Sequence, residues 1–138
     1  MFDRIRIDIS GGICNAKCTW CMTGMNNRNN IKNERTFISL EMFKNIIQYC
    51  KKNNFMKPAS YIDLYIWGEP FLHPQLKEII YYLNKEKLYF QISSNASIPV
   101  IFSEKELAHC VAIHFSMPGF SQESYDRVHM FNFEKICI

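Results

Sequence analysis

Several things are scarce in this 138-residue chain, and each scarcity excludes a class. No run approaches the roughly 20 consecutive apolar residues of a membrane-spanning helix, so no membrane partner is expected. No block of Lys or Arg stands out, and the formal net charge is only +3, which gives no argument for a nucleic-acid partner. Gly and Pro number five each, against 48% apolar and 21% charged residues, so nothing reads as disordered or low in complexity. No apolar stretch follows the charged opening Met1-Phe2-Asp3-Arg4. A secretory leader is therefore not expected, and a cytoplasmic location with reduced thiols is. No linker or shift of composition divides the chain, and residues 1–138 read as one domain.

The apolar pattern alternates between two periods. Ile5, Ile7 and Ile9 alternate with polar residues as in a strand, which Gly11-Gly12 ends. Residues 22–38, crowded with Asn26, Asn27, Asn29, Asn30 and Asn33, read as a continuing loop. Ser39 suits a helix N-cap. Leu40, Phe43, Ile46, Ile47 and Cys50 then form one helical face, expected to end near Asn53-Asn54. Tyr61 to Trp67 reads as a second strand, broken by Gly68-Glu69-Pro70. Pro74 suits the first position of a helix carrying Leu76, Ile79, Ile80 and Leu83. Tyr89 to Ser93 reads as a third strand. Ser103 and Glu106 have capping-box spacing for a short helix. Val111 to Phe115 reads as a fourth strand, and Gln122 to about Val128 as a helix.

Strand and helix thus alternate about four times, which predicts an α/β fold with a parallel sheet and crossover helices. The cysteine loop, Gly68-Glu69-Pro70, Ser94-Asn95 and Ser116 all fall at or just past strand C-termini. That edge is where parallel α/β folds bind ligands.

The chain has six cysteines, and three of them are clustered: Cys14-Asn15-Ala16-Lys17-Cys18-Thr19-Trp20-Cys21. Clustered thiols in a reducing compartment suggest a metal or redox site rather than disulfides. Three thiolates can each hold one iron of a cubane, which leaves the fourth iron open to a substrate or cofactor. Zinc held by three thiolates and one of His73, His109, His114 or His129 is the rival, although the spacing lacks the paired C-x2-C units usual for zinc. Cys50 reads as a core residue, and Cys110 and Cys137 as plain thiols. A fourth ligand from one of these would close the cluster for electron transfer.

The C-x3-C-x-aromatic-C signature after the first strand resembles the radical S-adenosylmethionine (radical SAM) superfamily, over Ile5 to about Ile136. The resemblance implies a partial (β/α) barrel, here of about four units where relatives typically have six. It therefore implies the N-terminal portion of the core domain, apparently truncated. It implies a [4Fe–4S] cluster on Cys14, Cys18 and Cys21, with S-adenosylmethionine chelating the open iron. Trp67-Gly68-Glu69-Pro70 resembles the family's Gly-Gly-Glu-Pro segment, with Trp67 in place of the first Gly. Gly68 and Glu69 are then implied to accept hydrogen bonds from the methionyl ammonium. Ser93-Ser94-Asn95 resembles the Thr-Asn-Gly segment, which implies Asn95 near the cofactor, although an Asx turn is the structural alternative. Ser116 is implied at the cofactor's sugar or methionyl end, and Trp20 beside its adenine.

The implied reaction is reductive cleavage of S-adenosylmethionine to a 5′-deoxyadenosyl radical that takes a hydrogen atom from a substrate, whose identity the sequence does not reveal. The implied partner is a flavodoxin- or ferredoxin-like one-electron reductant. Arg28, Lys32 and Arg35 read as a solvated face that can help such an acidic partner dock. Self-association or a completing partner chain is expected from an exposed fourth strand. A catalytically inactive remnant that binds a cluster, and a zinc-binding module, remain the alternatives.

Overall fold

The computed structural model describes residues 1–31 and 34–136. Lys32, Asn33 and Cys137, with the expectations attached to them, lie outside the described residues. Four strands form one sheet in the order β1-β2-β3-β4, with every neighbouring pair parallel. They are β1 (Phe2–Arg6), β2 (Met56–Asp63), β3 (Tyr89–Ser94) and β4 (Cys110–Phe115). Four helices connect or follow them: α1 (Met22–Arg28), α2 (Leu40–Lys52), α3 (Leu76–Lys85) and α4 (Gln122–Arg127). Sequential parallel order winds the chain in one direction, as in a barrel. All four strand C-termini then lie at one edge.

The core fills the space between α2, α3 and the sheet. Phe43 and Ile47 of α2 and Ile79, Ile80 and Leu83 of α3 meet Ile62, Phe90 and Ile92 of the strands, all fully buried. Burial of each such side chain stabilises the fold by about 1.5–3 kcal/mol. Helix α2 starts where Ser39 predicts: Ser39 Oγ accepts the N–H of Met42 at 3.1 Å. It ends at Asn53 and Asn54, the latter in the left-handed region at φ 55°.

Five local expectations shift. Residues 22–28 form α1 rather than loop, because tertiary contacts hold a segment of weak helix formers. Strand β2 begins at Met56 and leaves the sheet after Asp63, since the chain beyond Leu64 turns into the site loop. Pro74 precedes α3 instead of opening it, while Pro70 opens the single 3-10 turn Pro70–Leu72. The His73 ring explains the delay. Its Nε2 donates to Ile38 O at 2.9 Å, and its Nδ1 accepts the Gln75 N–H at 3.0 Å, just ahead of α3. The Ser103–Glu106 capping box forms reciprocally, with bonds of 2.7 Å and 3.3 Å. It opens only turns, which lead into β4 at Cys110. Strand β1 covers Phe2–Arg6, so Ile7 and Ile9 follow the strand instead of belonging to it, while α4 covers Gln122–Arg127 as expected and Phe133–Lys135 is one 3-10 turn.

Among the described residues, no helix is long and apolar enough to cross a membrane.

Candidate metal and cofactor site

The loops that follow the four strands line one open cavity of about 170 Å³. Cys14, Cys18 and Cys21 line it, as do Gly68, Glu69, Asn95 and Ser116. Trp20 does not; it is 88% exposed. Tyr65, Ser93, Ser94 and His129 also contribute walls that residue-by-residue reading did not assign. The signal for Ser93 and Ser94 was their place beside Asn95. His129 stood in the sequence only as one of four histidines able to complete a zinc site, and nothing local singled it out, because it comes to the site through the return of α4.

The cysteine loop is held from behind by α1. A Cβ on Gly24 would stand 2.4 Å from both the backbone N and O of Cys18, so glycine here permits the contact. Asn27 Nδ2 donates to Cys14 O at 2.7 Å and to Ala16 O at 2.8 Å. Arg35 Nη1 donates to Gly12 O at 3.1 Å and to Asn27 Oδ1 at 3.3 Å. Arg28 Nη2 donates to Lys17 O at 3.1 Å. Arg28 and Arg35 therefore clamp the cysteine loop and are not simply a solvated face. The segment after α4 closes the loop from the other side: Lys17 N–H donates to His129 O at 3.0 Å, and Thr19 Oγ1 to Arg127 O at 3.4 Å.

Burial governs the thiols of Cys14 and Cys18. It pushes Cys14 up to about 11, with the nearby Glu69 carboxylate adding to the effect. Cys18 is also raised, first by burial and then by Cys21, with Arg28 opposing. These thiols stay protonated at neutral pH until something cationic takes the proton's place.

Glu69 is 2% exposed. Its Oε1 accepts the N–H of Phe71 at 3.0 Å, and its Oε2 the N–H of Asn95 at 2.8 Å. Burial raises its pKa, partly offset by these N–H groups and by the Ser94 side chain. A carboxylate has about four lone-pair sites, so Glu69 retains acceptor capacity toward the cavity. Gly68 is required by close packing: a Cβ there would lie 2.4 Å from Ser10 Cβ and 3.0 Å from Ile13 O. Ser10 Oγ donates to Glu69 O at 2.9 Å, and Glu69 N–H to Ile13 O at 2.8 Å. The ends of β1 and β2 are thus locked together.

Asn95 forms the Asx turn, with Oδ1 accepting the Ser97 N–H at 3.0 Å. It also reaches the cysteines: Nδ2 donates to Asn15 Oδ1 at 3.0 Å and lies 3.7 Å from Cys14 Sγ. Ala96, standing where the family pattern has Gly, adopts a left-handed φ of 59°. Ser116 N–H donates to Ser94 O at 2.8 Å, which places its side chain at the rim.

Among the described residues, no three His, Cys, Asp or Glu side chains converge on a point that would grip one metal ion. A cubane asks something different of the protein: three thiolates facing one cavity, each taking its own iron. Cys14, Cys18 and Cys21 meet that requirement, and the cavity continues past them to an acidic acceptor. The donor set fits a cluster with a cationic small molecule beside it.

Fold and site together define an α/β protein of barrel type, with a thiol triad and a buried acid at the strand C-termini. The Radical SAM superfamily model matches residues 9–137, and the chain belongs to that superfamily. Enzymes of this superfamily use a [4Fe–4S] cluster and S-adenosylmethionine.

Solved structures agree in fold. BtrN, in complex with AdoMet and 2-DOIA, is 18% identical with a TM-score of 0.59, over 98% of this chain and 55% of that one. Streptococcus suis SuiB, bound to S-adenosylmethionine, is 14% identical with a TM-score of 0.66, over 96% and 29%. TYW1, with a lysine-pyruvate adduct bound, is 19% identical with a TM-score of 0.60, over 96% and 48%. The chain thus spans about half of BtrN and TYW1 and less of SuiB. No curated protein sequence matches.

Proposed function

We propose that Cys14, Cys18 and Cys21 ligate a [4Fe–4S] cluster and that S-adenosylmethionine binds beside it for reductive cleavage. The observation that carries this is the one cavity shared by the three thiols and the buried carboxylate of Glu69, which keeps acceptor capacity. The chemistry such a pair supplies is a 5′-deoxyadenosyl radical that takes a hydrogen atom from a substrate.

The chain's own residues then have distinct tasks. Each thiol gives up its proton to become a ligand. The remaining lone pairs of Glu69, with the backbone at Gly68, accept the methionyl ammonium. Asn95 braces Cys14 and the third loop. Ser116 meets the sugar or methionyl end, and Trp20, exposed beside Cys21, folds over the adenine. An acidic flavodoxin- or ferredoxin-like protein in a reducing cytoplasm supplies the electron.

Anaerobic reconstitution with iron and sulfide tests the reading. About four irons per chain are expected. Dithionite and S-adenosylmethionine should then yield 5′-deoxyadenosine. A cluster without that product would leave a cluster-binding remnant, and zinc in place of iron would leave a zinc module.

A further inference from the structure

Among the described residues, two buried side-chain polar atoms have no hydrogen-bond partner: Tyr125 Oη and His129 Nδ1. Their rings are neighbours, packed edge to face with centroids 5.7 Å apart. Tyr125 lies on α4 and His129 on the segment that returns from it along the cysteine loop, pinned there by the Lys17 N–H to His129 O bond of 3.0 Å. The turn that follows places Met130 at φ 59°, a conformation unusual for a side chain of its size. His129 is 6% exposed and lines the cavity with all three cysteines.

Packing alone does not account for a histidine here. A phenylalanine would meet Tyr125 and Phe131 equally well, with no unpaired nitrogen. Buried polar groups as a rule have partners, so a histidine kept here at the cost of a bare Nδ1 points to a task for its other ring nitrogen at the cavity it lines.

The two ring nitrogens are not equivalent. A buried bare acceptor is tolerated better than a buried N–H with nothing to accept it. The sealed Nδ1 therefore carries the lone pair, and the proton sits on Nε2. That makes His129 a hydrogen-bond donor on the wall of the cavity that the three thiols share.

We propose that His129 donates this hydrogen bond to the anionic group assembled on Cys14, Cys18 and Cys21. The acceptor is a sulfur of the cluster or the carboxylate of the S-adenosylmethionine bound to it. The inference rests on the function proposed above. His129 acts as a positioning residue: it orients and electrostatically supports the bound anion.

The test uses the reconstituted chain with two variants. His129→Phe keeps the packing and removes the donor, while His129→Gln keeps an N–H near Nε2. Iron content, the cluster's midpoint potential without S-adenosylmethionine, and the affinity for S-adenosylmethionine are measured on each. If sulfur is the acceptor, His129→Phe shifts the potential to more negative values, because hydrogen bonds to sulfur stabilise the reduced cluster. If the carboxylate is the acceptor, the potential stays and affinity falls roughly tenfold or more, as for a lost bond to a charged group. In either case His129→Gln moves the value back toward that of the natural chain. Loss of iron from the Phe variant but not the Gln variant also supports the proposal. Equal potential and affinity in His129→Phe overturn it, as does equal impairment of both variants. A natural chain that assembles no cluster refutes the proposed function instead, and the two failures are thereby distinguished.

Discussion

Glu69 Oε2 accepts the backbone N–H of Asn95 at 2.8 Å, so one carboxylate joins the loop after β2 to the loop after β3. Its other oxygen accepts the Phe71 N–H within its own loop. The group proposed to hold the cofactor's ammonium is thus also a structural tie. Its position does not depend on the ligand, which is the preorganisation a binding site needs.

This tie has a pH signature. Burial raises the Glu69 pKa above its ordinary 4.5, so the folded chain retains a proton that the unfolded chain has released. Stability is then greatest below that value and falls as pH rises from it through the raised folded-state pKa. His73 and His129, lowered by burial, shape both profiles alike, so urea midpoints measured between about pH 4 and 7 should show the natural chain losing stability relative to Glu69→Gln as pH rises. Parallel profiles would refute it.

Cys14 should react slowly as a free thiol. With its pKa pushed up to about 11, its alkylation rate in the metal-free chain should rise about tenfold per pH unit through pH 9 and level only near the pKa. Peptide mass spectrometry after timed iodoacetamide treatment reads this. A plateau already reached by pH 9 would contradict the burial argument. Cys14→Ala, Cys18→Ala and Cys21→Ala should each prevent assembly of the full cluster, read by iron content.

Gly24→Ala should disturb the cysteine loop from a distance. The added methyl would fall 2.4 Å from Cys18 backbone atoms, which cannot yield as a flexible side chain can. The expected cost is about 1–3 kcal/mol of stability, with poorer cluster assembly. Chemical unfolding and iron content after reconstitution measure the two effects. A variant with unchanged stability would show that α1 moves freely.

Asn27→Ala removes the donor to Cys14 O and Ala16 O. A loss of about 1–3 kcal/mol is expected if those carbonyls find no other partner. The Cys14 thiol should also become easier to alkylate as the loop loosens, which the same mass-spectrometric assay reports.

The outer side of β4 presents Val111 at 56% and Phe115 at 53% exposure, and β4 pairs only with β3 among the described residues. Such an edge is adhesive. Sedimentation of the isolated chain should show concentration-dependent association, and Val111→Lys should reduce it. A monomer at high concentration in both would remove the expectation.

Much of this was legible in one dimension because it depends on local pattern. The stripe Leu76, Ile79, Ile80 and Leu83 specified α3 through its period, and all four are buried. Ser39 marked the start of α2 by capping chemistry that acts over one turn. The α1 segment escaped the same reasoning because its stability is not local. Gly24 and Asn27 are weak helix formers, and they are there for what they touch, the backbone of Cys18, Cys14 and Ala16. The basic residues were misleading for a similar reason: Arg28 and Arg35 read as solvated charge until their guanidinium groups were seen on loop carbonyls.

By itself, the sequence determined the βα alternation, the thiol triad and the residues at the strand ends, since periodicity and spacing are properties of the chain alone. Only the tertiary structure decided how those ends combine. It put the three thiols and Glu69 on one cavity, left Trp20 in solvent, and brought His129 to the wall with an unpaired nitrogen. The physical reason is that a hydrogen bond or a desolvation penalty depends on distance in space, and residues over a hundred positions apart become neighbours only when the parallel sheet aligns their loops at one edge.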